Sequence, residues 1–131
     1  MILPYEIIYR TVVPTIRYMV AKKLIEDHNL TQKEVARRLG VTQPAVSNYI
    51  RRTRATLLSL ESNEQITDRI NHLTASFLIG DSKRPEIVEN ITELCDYMRK
   101  NKLLCKFHKQ IEPSYKTEEC NACHKIKTIY I

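Results

Sequence analysis

The stretch from residue 31 to residue 54 constrains the fold of this 131-residue chain more than any other. It reads TQKEVARRLGVTQPAVSNYIRRTR, with apolar residues at the spacing of two short helices, about Gln32 to Leu39 and about Gln43 to Arg52. Gly40 lies between them, where the chain must leave the first helix in a left-handed conformation that costs glycine little. The pattern predicts two helices crossing around a tight turn. The positions expected to face inward are Val35, Ala36, Leu39, Val41, Val46, Tyr49 and Ile50.

The residues at the predicted helix ends agree with this interpretation. Thr31 precedes the first helix and Glu34 follows three residues later, which is the spacing of a capping box. Thr42 precedes the second helix, and Pro44 falls within its first turn, where a missing N–H leaves no helical hydrogen bond unmade. The outward residues of the second helix are Gln43, Pro44, Ser47, Asn48 and Arg51. Most of these are types that pair with base edges in DNA.

Together these features resemble the helix-turn-helix of the lambda-repressor and xenobiotic-response-element regulators. The resemblance covers about 24 residues and includes Ala36, Gly40 and Val46 at the fifth, ninth and fifteenth places of the motif. It implies that the protein binds double-stranded DNA, with the second helix contacting the bases.

The distribution of charge supports the same function. The chain carries a net charge of +6. Residues 1–60 hold ten Lys and Arg against four Asp and Glu, whereas residues 61–131 hold eleven of each. Because the positive excess lies in the half that contains the motif, we expect contacts with phosphates as well as with bases. The candidate DNA-binding residues are Lys33, Arg37, Thr42, Gln43, Pro44, Ser47, Asn48, Arg51, Arg52 and Arg54.

The rest of the chain predicts an all-α fold, because glycine is scarce and the periodic segments are long. Residues 1–30 are expected to be helical, with a break or bend just before Pro14. The part from Pro14 to about His28 would support the motif. The apolar part before it would pack on the core or, with slight preference, form a dimer contact.

Two further helices are expected, from Glu64 to Ile79 with Gly80 at its end, and from Pro85 to about Lys100. From residue 102 onward periodicity fails, so we expect a small, loop-rich, metal-binding lobe, followed at residues 126–131 by a strand or packed tail. The predicted division is a DNA-binding domain at 1–60 and a helical segment with the cysteine lobe at 61–131.

Several classes of protein are disfavoured by the sequence. No run approaches the roughly 18 to 20 apolar residues that span a bilayer, and MILPYEII lacks the basic start of a secretory signal, so we expect a cytoplasmic protein that does not bind membranes. The chain has no paired carboxylates in a motif and no phosphate loop, so we do not expect an enzyme. A protein–protein adaptor built on the same helices is a less favoured alternative.

All four cysteines lie in the last 37 residues, which in a cytoplasmic protein favours metal or redox chemistry over structural disulfides. The first candidate ligand set is Cys105, His108, Cys120 and Cys123, which fits a tetrahedral zinc site. The second replaces His108 with Cys95 and supplies the four thiolates usual for an iron–sulfur cluster. A lone cysteine on an apolar helix face is more often a small core residue, so spacing leaves this choice open.

Taken as a whole, the chain resembles a family of small, mainly archaeal, predicted transcription regulators. The resemblance is carried by LPYEIIYRTVVPTIRYMVAKKL, TQKEVARRLGVTQPAVSNYI and CDYMRKNKLLCKFHKQIEPSYKTEECNAC. In that family a cysteine recurs at the position of Cys95, and a second often follows where this chain has Met98. The resemblance implies sequence-specific regulation of transcription, with the cysteines holding a cluster or metal. We expect a homodimer that reads a pseudo-palindromic operator. The resemblance favours a 4Fe–4S cluster, acting as a redox or iron sensor, over zinc, with the ligands Cys95, Cys105, Cys120 and Cys123.

Overall fold

The computed structural model describes residues 1–52, 60 and 62–123, and in these residues it contains helices and no strand. The all-α prediction is therefore confirmed. A π-helical segment, Ile8–Val12, joins the first two helices, and Asp81–Lys83 and Thr117–Glu119 are short 3-10 helices. The α-helices are α1 Pro4–Ile7, α2 Val13–Glu26, α3 Gln32–Leu39, α4 Gln43–Arg52, α5 Glu64–Ile79, α6 Arg84–Lys100 and α7 Leu104–Ile111.

The N-terminal helix continues through Pro14 and changes its hydrogen-bond register instead of breaking. The Val13 N–H donates to the Ile8 carbonyl five residues earlier, and the backbone on both sides keeps helical dihedral angles. Pro14 donates no N–H and its ring crowds the preceding turn, and a wider π turn is one way in which a helix accommodates such a residue. Of the predicted break or bend, the break is therefore wrong, and a change of hydrogen-bond register lies at the predicted place.

Helix α2 forms the centre of the fold. It packs against α3, α4 and α5, and its inward face includes Ile16, Val20 and Leu24, all buried. These residues belong to one hydrophobic cluster that also contains residues of α5, α6 and α7. The expectation that the helix after Pro14 supports the motif is confirmed.

Helices α5 and α6 pack against each other and lie close to their predicted bounds. Asn63 begins α5, because its side-chain oxygen accepts hydrogen bonds from the N–H groups of Gln65 and Ile66. Gly80 ends it with φ of +110°, a conformation that other residues rarely adopt. The predicted stripe is confirmed, with four members buried and Leu78 half-buried: Ile66, Ile70, Leu73 and Phe77.

The C-terminal lobe is less loop-rich than predicted, because α7 occupies its first part. Leu104, Phe107 and His108 are buried and Ile111 is half-buried, which is the spacing of an amphipathic helix. The irregular structure expected here is therefore wrong, and a helix of eight residues takes its place. Cys105 and His108 therefore lie on a helix, and the turn-rich part begins after it.

The N-terminal segment packs on this lobe. Helix α1 contacts α7, and the Met1 amino group forms an ion pair of 3.2 Å with Glu112. Ile7 is buried in the core, whereas Tyr9 is 79% exposed. Part of the N-terminal apolar surface is thus used within the chain, and a dimer contact stays a prediction. The expectations for residues 55–63 fall largely outside the described residues, and those for 126–131 wholly so.

Candidate nucleic-acid interface

The turn between α3 and α4 is a Schellman motif. Gly40 has φ of +69° and ψ of +32°, the left-handed conformation that its position predicted. The Val41 N–H donates to the Ala36 carbonyl at 3.0 Å, and the Gly40 N–H donates to the Arg37 carbonyl at 3.3 Å. These two bonds satisfy carbonyls at the end of α3 and fix the direction in which the chain enters α4.

Threonine side chains cap both helices. Thr31 Oγ1 accepts a hydrogen bond of 3.2 Å from the Glu34 N–H, and Thr42 Oγ1 accepts one of the same length from the Ala45 N–H. Of the two hydrogen bonds of the predicted capping box, the one accepted by the Thr31 side chain is formed. The carboxylate of Glu34 instead accepts hydrogen bonds from the guanidinium groups of Arg37 and Arg38.

The faces of the two helices divide as the sequence predicts. Val35, Ala36 and Val46 are buried, and the other four inward positions are half-buried. On α4 the predicted reading residues are exposed except Ser47, which is half-buried and accepts a hydrogen bond from Arg51 Nη2 at 3.1 Å. The exposed members are Thr42, Gln43, Pro44, Asn48 and Arg51. A polar strip along α4 is therefore open to a partner.

The basic residues around this strip fall into two groups. Lys33 and Arg37 are exposed on α3, near the strip in sequence and on the same motif. Arg52 ends α4, and Arg54 lies outside the described residues. The structure thus leaves the phosphate-binding prediction for Lys33 and Arg37 open to test.

Arg38 joins the motif to the rest of the protein, and the sequence analysis gave it no such role. Its Nη1 donates to the carbonyl oxygens of Phe77 and Leu78, at 3.0 and 2.7 Å. A guanidinium at the last carbonyls of α5 also meets the negative end of that helix dipole. The side chain is 21% exposed, so these bonds are partly shielded from water. Only the charge of Arg38 was visible in the sequence, because its partners lie about forty residues away.

The two arginines set the protonation of Glu34. The hydrogen bond from Arg37 is the main reason why the pKa of Glu34 falls from its ordinary value of 4.5 to about 2, and Arg38 lowers it further. Glu34 in turn raises the pKa of Arg37. The three side chains form a charged cluster on α3.

Residues 22–65 match the helix-turn-helix family. The match covers α3, α4, the end of α2 and the first residues of α5, and it supports a DNA-binding transcription regulator. The remainder of the chain, including the cysteine lobe, lies outside the matched residues. No curated protein and no solved structure matches the chain. None of the helices in the described residues is long and apolar enough to cross a membrane.

Three of the four cysteines line one cavity of about 150 Å³ beneath the N-terminal segment. Cys105 comes from α7, whereas Cys120 and Cys123 come from the turns after it, and His108 lines the same cavity. Burial raises the pKa of Cys105, and the charges of Cys123 and Cys120 raise it further, which reflects how near the thiols lie. The structure thus brings together the set that spacing assigned to zinc.

Cys95 is not among the residues that line this cavity. It is buried on α6, and its pKa is raised to about 11, first by burial and then by the charge of Asp96. The cavity therefore gathers three members of the four-thiolate set that the family resemblance implied, and Cys95 is absent from its lining. Cys95 and Cys123 both belong to the hydrophobic cluster, so burial does not distinguish them.

The side chains around the cysteine cavity have their own partners. His108 Nε2 lies 3.0 Å from Glu112 Oε1, and its ring stacks on Tyr115 with centroids 4.2 Å apart. Within residues 1–52, 60 and 62–123, no three His, Cys, Asp or Glu side chains are arranged to hold a metal ion. Three thiols and an imidazole are nevertheless the donor chemistry of a zinc site, so a metal here stays a prediction.

We expect replacement of Glu34 by Gln to remove a pH-dependent contribution to stability. The pKa of Glu34 is lower in the folded state, so the carboxylate stabilises the fold above about pH 4.5 and loses this effect as the pH falls through about 2. Urea unfolding of the wild type and the Glu34→Gln variant should therefore differ at pH 7 and converge towards pH 2. A difference that stays constant over this range would contradict the cluster.

Proposed function

We propose that this protein is a sequence-specific transcription regulator that reads a DNA operator with α4. The observation that carries the proposal is the exposed polar strip of α4, held in a fixed direction by the Schellman turn and the two threonine caps. The match to the helix-turn-helix family over residues 22–65 supports the same class of function.

The side chains on the strip suit particular bases. Gln43 and Asn48 can each form paired hydrogen bonds with adenine, and Arg51 can do so with guanine. Ser47 can donate to or accept from either kind of base, once Arg51 releases it. Thr42 and Pro44 lie at the start of α4, where the helix N-terminus favours a phosphate.

The basic residues of the motif would hold the phosphate backbone. Lys33 and Arg37 are exposed on α3, and Arg52 and Arg54 follow the reading strip in the sequence. Phosphate contacts fix the position of a protein on the duplex and make its binding sensitive to salt, whereas base contacts supply the specificity. The two groups of residues therefore predict different effects when they are replaced.

We expect Asn48→Ala and Arg51→Ala each to weaken binding to the preferred duplex by about 1–3 kcal/mol, roughly 5- to 150-fold, because each removes a base contact. The duplex is first selected by the wild-type protein from a random library, and affinity is then measured by fluorescence anisotropy. Binding to unrelated duplexes should change far less.

Two further variants separate the role of charge. Arg37→Gln should weaken binding to all sequences alike and reduce the slope of log affinity against log salt by about 0.9. Lys106→Gln makes the same change of charge on α7, away from the motif, and should leave the slope unchanged. The adaptor interpretation would be favoured if the wild-type protein enriches no duplex. It would also be favoured if Asn48→Ala and Arg51→Ala bind the selected duplex as tightly as the wild type does.

We propose that the regulator is a homodimer. The support is a group of exposed apolar and aromatic side chains at the N-terminus, Met1, Leu3, Tyr5 and Tyr9. A two-fold dimer would present two copies of α4 to half-sites one helical turn apart, if the geometry is of the repressor type. Tyr5 also contacts Arg99 within the same chain, so Tyr9 is the better position to test.

We expect Tyr9→Glu to shift the protein towards monomers, because a carboxylate at the interface would have to lose its water. Tyr9→Gln serves as the uncharged control and should shift the equilibrium less. Sedimentation velocity over a range of concentrations measures both. A wild-type protein that stays monomeric at the highest concentration would refute the dimer.

We propose that the cysteine cavity holds a metal group. Cys105, Cys120 and Cys123 would bind it, and His108 on the same cavity wall would supply a fourth donor. This set favours zinc, which would stabilise the lobe permanently, because zinc has no redox chemistry. Glu112, which already contacts His108, would serve as an outer partner that orients the ring.

A 4Fe–4S cluster is the competing candidate, and it is the one that would make the lobe a redox or iron sensor. It would use Cys95 in place of His108. The presence of three cysteines on one cavity suits either group, so the identity of the fourth ligand distinguishes the two.

Anaerobic purification followed by metal and sulfide analysis should find about one zinc per chain, as expected for a single tetrahedral site. Zinc should be retained in Cys95→Ser and lost in Cys120→Ser. A brown protein that contains iron and sulfide, and that loses both in Cys95→Ser, would establish the cluster instead. A protein with neither zinc nor iron would refute the metal site.

A further inference from the structure

A larger cavity, of about 380 Å³, lies between α2, α3 and the junction of α5 with α6. Its volume falls within the usual range for sites that bind small molecules. Buried side chains of the core form its apolar part, among them Ile16, Val20 and Ile87. It is separate from the cysteine cavity and from the exposed strip of α4.

Two exposed apolar side chains lie at the rim of this cavity. Ile79 is 64% exposed and Val88 is 59% exposed, and both line the cavity. They are the large apolar side chains most open to water in the described residues beyond the N-terminal segment. An open apolar rim above an apolar floor is the arrangement that an apolar ligand would cover.

The same cavity is rich in positive charge. Four arginines line it, together with one acidic residue, Asp81. Arg84 donates to Asp81 at 3.0 Å, and in the described part of the chain this is its one hydrogen bond, although a guanidinium has five N–H donors. The arginines are Arg17, Arg37, Arg38 and Arg84.

We propose that this cavity binds a small organic anion with an apolar body, such as an aromatic or branched aliphatic carboxylate. The guanidinium groups of Arg84 and Arg37 would bind the anionic group with the donors that Asp81 and Glu34 leave unused, because their planar pairs of donors match a carboxylate. The apolar floor and rim would cover the body of the molecule. This site goes beyond the proposed DNA binding and does not depend on it.

The first test uses two fluorescent dyes of nearly the same shape. Anilinonaphthalene sulfonate carries an anionic group, and phenylnaphthylamine lacks it. We expect the anionic dye to bind at one saturable site roughly tenfold more tightly than the neutral dye, the difference that a charge-assisted hydrogen bond supplies. Equal affinities, or binding that does not saturate at one dye per chain, would overturn the proposal.

The second test places a charge at the rim. Val88→Glu adds a carboxylate beside the proposed ligand and should weaken binding of the anionic dye about fivefold or more, by repulsion between like charges. Val88→Gln introduces a side chain of nearly the same size as glutamate but without the charge, and it should retain most of the affinity for the anionic dye. Val88 is exposed, so both variants should fold, and circular dichroism checks this.

Two outcomes decide between this cavity and another place on the protein. Unchanged affinity for the anionic dye in Val88→Glu would refute the site. Arg84→Gln leaves the apolar rim unaltered and should lower the affinity for the anionic dye in the same way. No DNA is present in these titrations. A failure here therefore counts against the ligand site alone and leaves the proposed regulation of transcription to its own experiments.

Discussion

The placement of the DNA-binding motif depends on the hydrogen bonds of Arg38. One guanidinium binds Glu34 within α3 and the last carbonyls of α5. Apolar packing holds α2, α3 and α4 together, but the hydrophobic effect itself has no direction. Hydrogen bonds are directional, and the two that Arg38 donates to the carbonyls of Phe77 and Leu78 hold the end of α5 against α3. The orientation of α4 is therefore linked to the part of the chain that carries α6 and the cysteines.

The sequence predicts best those features that neighbouring residues determine. The bounds of α3 and α5 and the start of α4 follow from caps and glycines within a few positions of each helix end, and all of these were predicted correctly. Helix α7 was missed, although Leu104, Phe107 and Ile111 carry its period, because no capping side chain marks its start and no glycine marks its end. The partners of Arg38 could not be predicted, since nothing local indicates a contact across about forty residues.

In the cysteine lobe, the spacing of the cysteines predicts part of the site but not all of it. Spacing predicted that Cys105, Cys120 and Cys123 would meet, and the three line one cavity. It could not decide the fourth ligand, because that depends on which face of α6 turns inward and on where α7 begins. Cys95 on α6 does not line the cavity, while the unforeseen α7 places His108 on the cavity wall. Whether the lobe would hold a redox-sensing cluster or a structural zinc ion thus depends on a helix that was not predicted.

The two proposed binding sites share a residue, which determines the sign of their coupling. Arg37 lines the larger cavity and is also a candidate phosphate contact on α3. An anion in the cavity and a DNA phosphate would compete for its guanidinium, and Glu34 already occupies two of its donors. Competition for one cation makes the coupling free energy unfavourable, and thermodynamic linkage makes it equal in both directions. An anionic ligand would thus weaken DNA binding, and DNA would weaken the binding of the ligand to the same degree.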